Sequence, residues 1–165
     1  MKTRITELFG IEHPIVLSGM SWISTPELVA AVANAGGLGI LATGVLDAEQ
    51  TRLAVRRTRE LTSRPFAANV TLYFPGNRAN AEVLIDEQVP VVNYSLGKGD
   101  WIAEAVHGYG GRVIATVTTL KHAHAATIEV NLDLDEGNRV AAPIVRFGYS
   151  AEQKNSHGFP LTPMT

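Results

Sequence analysis

Short apolar runs separated by helical-period stretches govern the reading of this chain. Residues 15–17, 38–42, 66–72, 89–94 and 112–117 are apolar segments bounded by Pro, Gly or small polar residues. They run continuously instead of alternating, which predicts strands of a parallel sheet buried on both faces. Helical spacing fills the gaps, with predicted helices at 25–35, 47–61, 80–88 and 100–109. A fifth helix is capped by Thr118 or Thr119 and carries His122 and His124. Strand follows strand every two to three dozen residues, the rhythm of right-handed βα crossovers.

Local signals sharpen several boundaries. Thr6-Glu7-Leu8-Phe9-Gly10 predicts one helical turn closed by Gly10. Ser24 or Thr25 caps the helix that opens at Pro26, and Gly36-Gly37 ends it. Its inward stripe is read as Leu28, Val29, Val32 and Ala35. Asp47 and Gln50 have capping-box spacing. On the helix they start, Leu53, Ala54 and Leu61 are expected to face inward, with Arg52, Arg56, Arg57 and Arg59 on a solvated face. His13 precedes Pro14 at the amino end of the first strand and is read as structural.

After residue 126 the pattern changes. Residues 127–135 alternate strictly between polar and apolar, predicting a half-exposed strand. A turn at 135–138 and a return arm at 139–147, demoted to an edge by Pro143, complete a possible hairpin over 127–149. Residues 150–165 are polar and expected to form a flexible tail. The organisation expected is one βα-repeat region over residues 1–126, then this hairpin and tail.

The chain's 165 residues suffice for one domain with its own core. A net charge of −2 gives no basis for a nucleic-acid or anionic-membrane partner. The absence of cysteine excludes disulfides and thiolate metal sites, and no metal site is expected. No stretch approaches bilayer-spanning length and the amino terminus lacks a signal-peptide pattern, so the expected location is the cytoplasm.

Two places carry candidate chemistry. Ser18-Gly19-Met20 closes the first strand with a small, flexible turn, either an ordinary connection or the floor of a ligand site. Asn69 sits within an apolar strand, where its amide must be satisfied by the protein or offered to a ligand. Gly97-Lys98-Gly99 is a weak anion signal that lacks Walker spacing.

Several stretches, in order, resemble the amino-terminal half of the nitronate monooxygenase family, formerly the 2-nitropropane dioxygenases. They are Glu12-His13-Pro14-Ile15-Val16, Gly19-Met20-Ser21-Trp22, residues 30–38, residues 60–66, Asn69-Val70-Thr71-Leu72, and the stretch from Val113-Ile114 through Lys121-His122-Ala123. The resemblance covers about residues 3–126 and implies an α/β fold: a partial TIM-type (β/α) barrel of about five units, related to the FMN-containing enoyl-acyl-carrier-protein reductases. A flavodoxin-like sheet is the alternative by strand count.

The resemblance further implies FMN as cofactor, with Gly19 and Met20 against the flavin, Asn69 hydrogen-bonded to its ring, and Thr118 as a looser contact. It implies oxidation of alkyl nitronates by O2. The family's catalytic histidine lies in a Gly-His setting after a sixth strand, and no matching segment follows Ala126. His157-Gly158 is a superficial echo, so no catalytic residue is assigned. A full barrel takes roughly 250 residues, so the activity is expected to be incomplete in this chain. The alternatives are a non-catalytic truncated homologue, an oligomerising partial barrel, or an enoyl-reductase-like enzyme. The open edges of a partial barrel predict a homo-oligomer.

Overall fold

The computed structural model describes residues 2–119, 121–123 and 126. The expected hairpin at 127–149, the tail at 150–165, His124 and His157 lie outside the described residues. The elements are α1 (Arg4–Phe9), β1 (Val16–Leu17), α2 (Pro26–Asn34), β2 (Leu38–Ala42), α3 (Ala48–Leu61), β3 (Ala67–Thr71), α4 (Asn77–Asp86), β4 (Val91–Ser95), α5 (Asp100–Gly108) and β5 (Arg112–Thr116). A further helical stretch begins at Lys121.

The five strands form one sheet in the order β1-β2-β3-β4-β5, and every neighbouring pair is parallel. Each strand therefore adds beside its predecessor and the sheet always grows in one direction. A flavodoxin-like sheet would reverse direction at its first strand. The strand order thus selects the partial (β/α) barrel over the doubly wound alternative.

Side chains alternate across each strand, so the two faces bury separate cores. The outer core joins Leu41, Ala68, Val70, Val92, Tyr94 and Val113 of the strands to Val29, Val55, Leu84, Ile102 and Val106 of α2–α5. The inner core joins Val16, Leu38, Ile40, Ala67, Val91 and Ile114 to Phe9 of α1 and Ile11 after it. These inner strand residues lie at the amino ends or the middle of their strands, none in the last two positions of a five-residue strand. The α1 segment therefore plugs the bottom of the half-barrel and leaves the carboxyl ends for polar side chains.

Local chemistry explains the ends of the elements. Thr3 and Thr6 form a capping box on α1, and Gly10 closes it in the left-handed region at φ 66°. The box at α3 forms as its sequence requires, with Gln50 N–H donating to Asp47 Oδ1 at 2.8 Å and Asp47 N–H to Gln50 Oε1 at 3.1 Å. At Gly39 a Cβ would lie 2.5 Å from the Val29 carbonyl oxygen, so only glycine lets α2 settle this closely on β2.

Several expectations are corrected. β1 is a two-residue, half-buried end strand, and Ile15 is exposed because, among the described residues, no strand lies beyond it. The inward stripe of α2 is Val29, Ala30 and Ala33, with Leu28 and Ala35 outside. On α3 the buried positions are Thr51, Val55 and Thr58, while Leu53 is 60% exposed. α4 starts at Asn77, three positions earlier than the expected residue 80, because Asn77 Nδ2 donates to the Thr71 carbonyl.

The arginines of α3 are not simply solvated. Arg52, Arg56 and Arg59 converge on Glu87 at the end of α4, at 2.8, 2.9 and 3.0 Å, and the Glu87 side chain is only 9% exposed. Arg59 also donates to the main-chain carbonyls of Glu87 and Gln88, which fall at the carboxyl end of α4. Burial pushes the Glu87 carboxyl up. Hydrogen bonds and charge from Arg56 and Arg52 outweigh that and leave it below its ordinary value.

Candidate functional site

The site is built on the inner face, above the plug, from the carboxyl ends of β1, β3, β4 and β5. Asn69 and Asn93 occupy the same position in the five-residue strands Ala-Ala-Asn-Val-Thr and Val-Val-Asn-Tyr-Ser, and the register sets them side by side. Asn69 Nδ2 donates to Asn93 Oδ1 at 2.8 Å. Asn93 Nδ2 donates in turn to the Ile114 carbonyl and to Thr116 Oγ1, both at 2.9 Å. A polar row of two amides and a hydroxyl thus runs across three strands. Asn93 is buried at 6% exposure, whereas Asn69 is half-buried and reachable.

The turn after β1 folds over this row. A Cβ on Gly19 would stand 2.6 Å from Asn69 Cβ and 3.3 Å from Ile40 Cγ2. Real Cβ atoms do not approach that closely, so the turn can lie on the inner face here only as glycine. Ser24 fixes the turn's shape: its hydroxyl donates to the Ser18 carbonyl at 2.6 Å and accepts from Met20 N–H at 3.0 Å. This task takes Ser24 away from capping α2, and Thr25 at the cap position makes no side-chain cap bond either. Met20 follows the glycine on the open side, 38% exposed. Trp22, two residues on, is 81% exposed with φ at 67°, a strained conformation for a bulky residue.

Behind the row, Thr43 accounts for the main chain of Asn69. Its hydroxyl donates to the Asn69 carbonyl at 2.6 Å and its N–H donates to the same oxygen at 3.3 Å. Thr43 is itself held by Asn80 of α4, whose Nδ2 donates to the Thr43 and Leu46 carbonyls. The support reaches from α4 through the loop after β2 to the strand that carries Asn69.

Gly19 and Asn69 are therefore brought together, with Met20 next to Gly19 in the turn. Thr118 is not part of that group. It lines a cavity of about 480 Å³ at the ends of β4 and β5 with Tyr73, Lys98, Thr116 and His122, so the cavity adjoins the amide row through Thr116 although Gly19, Met20 and Asn69 do not line it. Thr118 Oγ1 lies 3.4 Å from His122 Nδ1. The helix cap is Thr119, whose Oγ1 accepts from His122 N–H at 3.1 Å. The residue of β5 tied into the amide row is Thr116. Asn93 and Thr116 escaped the sequence reading, although Asn93 interrupts its apolar strand just as Asn69 does.

Chemically, the inner row is apolar below and carries amides and hydroxyls above: Asn69, Thr71, Asn93, Ser95 and Thr116. Among the described residues the row itself carries no histidine or carboxylate, and His122 lines the cavity that Thr116 shares. Such a surface orients a planar, hydrogen-bonding ligand and does not itself remove a proton. Among the described residues no group of three or more His, Asp or Glu could hold a metal ion.

The nitronate monooxygenase family profile matches residues 2–88, more than half of the chain. A (3aS,4S,5R,7aS)-5-hydroxy-7a-methyl-1-oxo-octahydro-1H-indene-4-carboxyl-CoA dehydrogenase of Rhodococcus jostii is 36% identical over 123 residues, covering 74% of this chain and 35% of that protein. A nitronate monooxygenase of Paraburkholderia phytofirmans is 42% identical over 87 residues, 53% of this chain and 23% of the relative. Among solved structures, FabK from Thermotoga maritima superposes with a TM-score of 0.75 at 36% identity, over 78% of this chain and 42% of that one. The chain thus spans about a third or less of the length of these two curated relatives.

Proposed function

Because the chain belongs to the nitronate monooxygenase family, we propose that its inner face forms one wall of a flavin site in an oxidoreductase of that family. The flavin proposed is FMN, and the reaction proposed is the oxidation of alkyl nitronates by O2. The observation that carries this reading is the meeting of Gly19 and Asn69. A turn without side-chain bulk lies against an amide whose Oδ1 takes no hydrogen bond among the described residues. A planar heteroaromatic ring needs that combination, a flat backbone surface beside a directional polar edge.

These residues fit the group. Gly19 and Met20 would bear on the ring and Asn69 would hold its polar edge. When bound, the flavin supplies the electron-accepting chemistry and the route to dioxygen. The chain's own contributions are orientation by Asn69 and exclusion of water by the apolar rim of Met20, Trp22 and Ile23, all of which are exposed in the isolated chain. The proton-abstracting base is assigned to no described residue.

A second reading is reduction of an enoyl or related acyl thioester. It is favoured by the likeness to FabK and to a CoA-thioester dehydrogenase, whose match spans more of this chain than that of the nitronate monooxygenase of Paraburkholderia phytofirmans. The test of the primary reading is the visible absorption of the purified protein before and after addition of FMN. Oxygen uptake with an alkyl nitronate follows, with a nicotinamide cofactor and an enoyl thioester as the competing assay. Bound flavin with nitronate-dependent oxygen uptake is expected. Absence of flavin under both conditions overturns the reading, and turnover of the enoyl thioester alone replaces it with the second.

A further inference from the structure

We propose that Asn93 is a positioning residue that fixes which way the Asn69 amide faces, so that Asn69 offers an acceptor to an N–H donor of the bound ring. The proposal rests on the flavin reading of the site, and its first step stands on the protein alone. The Ile114 carbonyl can only accept a hydrogen bond, so the group of Asn93 that faces it must be Nδ2. Asn93 Oδ1 then points back along the sheet, and only the Nδ2 of Asn69 can meet it. The direction of the whole row is therefore dictated by one main-chain carbonyl at the edge strand β5, and it ends with Asn69 Oδ1 unpaired among the described residues.

The remaining freedom of Asn69 is small. Its main-chain carbonyl is held by Thr43 and its Cβ lies against Gly19, so the flip of the amide is the degree of freedom left for Asn93 to set. An unanchored amide would present donor and acceptor about equally, and half of its population would turn a donor toward a ring N–H. Anchoring removes that mismatch, which is the effect of preorganisation on binding. A ring whose facing edge carries only acceptors would gain nothing from this arrangement.

The test compares Asn93→Leu with Asn93→Asp in the full chain. Leucine removes the acceptor that holds Asn69. Aspartate keeps an acceptor toward Asn69 but buries a carboxylate beside the Ile114 carbonyl, so it is the more damaging change to stability. The expected orders are therefore opposite: thermal stability falls from the unaltered chain to Leu to Asp, while FMN affinity falls from the unaltered chain to Asp to Leu. The Leu variant is expected to lose about twofold in affinity, the cost of an amide that faces the right way in only about half of its population.

A readout without flavin is the side-chain amide spectrum of Asn69 in protein labelled with both 13C and 15N. Coupling across the hydrogen bond to Asn93 is expected in the unaltered and Asp chains and lost in the Leu chain. An Asn69 signal unmoved by Asn93→Leu overturns the anchoring. FMN bound equally by the unaltered and Leu chains, or affinity falling in the same order as stability, overturns the positioning role alone. Failure of the unaltered chain to bind FMN overturns the flavin reading and this role with it, whatever the amide spectrum shows.

Discussion

Gly19 has no side chain because Asn69 occupies the space one would need. A methyl group placed there overlaps Asn69 Cβ, so Gly19→Ala must push the turn or the strand aside. The expected cost is about 1–3 kcal/mol, read by urea unfolding; unchanged stability would mean that the turn stands clear of Asn69. Tyr109 makes a separate, purely structural case. Its hydroxyl donates to the Val89 carbonyl at 2.9 Å, and burial pushes the phenol up to about 12, with Arg59 pulling slightly back. A neutral form favoured by folding contributes stability below the unfolded value near pH 10 and loses it as the pH rises through the folded value. Unfolding at graded alkaline pH should show that loss, and Tyr109→Phe should abolish it. Asn69 was legible in the sequence as a lone amide in an apolar strand. Asn93 was equally visible, but what links the two is strand register, which no single strand carries. Thr116 and Thr118 differ only in where β5 leaves the sheet, and residue type does not set that position.

At the scale of elements, strand and helix order was readable because runs buried on both faces alternate with helical periods. Helix phase was less so. α2 buries Val29, Ala30 and Ala33 because the sheet below leaves room only for small side chains where Gly39 admits the helix. Gly39→Ala should therefore cost as much as a badly overpacked core position, about 1–3 kcal/mol by thermal or urea unfolding; a neutral result would show that α2 can lift without penalty. On α3, buried Thr51 and Thr58 serve as apolar fillers, Thr58 Oγ1 satisfying itself on the Ala54 carbonyl at 2.8 Å. A hydropathy pattern reads them as polar and turns the helix the wrong way. The link from α3 to α4 through Glu87 gives another expectation. A carboxyl lowered by folding stabilises above its unfolded value, and that contribution is lost as the pH falls through the lower, folded value. Glu87→Ala should cost about 1–2 kcal/mol near neutral pH, because it removes the carboxylate that Arg52, Arg56 and Arg59 share, and much less in acid. Urea unfolding at the two pH values measures the difference, and equal losses would contradict the ionic account.

The described residues build a sheet with β1 and β5 at its ends, in a sequential parallel order that leads toward a closed barrel. Among the described residues neither end strand has a neighbour on its outer side, and unpaired strand edges tend to recruit another chain. We propose self-association on that ground; sedimentation should show species larger than the monomer, and a monodisperse monomer would contradict it. No described helix is long and apolar enough to cross a membrane. The strand order was beyond the sequence pattern alone, since five βα units suit a doubly wound sheet as well as a barrel. The resemblance to the family chose correctly between them. The central claim is that the inner face holds one wall of a flavin site, and a titration of FMN against the unaltered chain and Asn69→Leu tests it most directly. Quenching of flavin fluorescence is predicted to saturate with the unaltered chain and to require about tenfold more protein with the variant. No saturable quenching by the unaltered chain, or identical curves for the two, would contradict it.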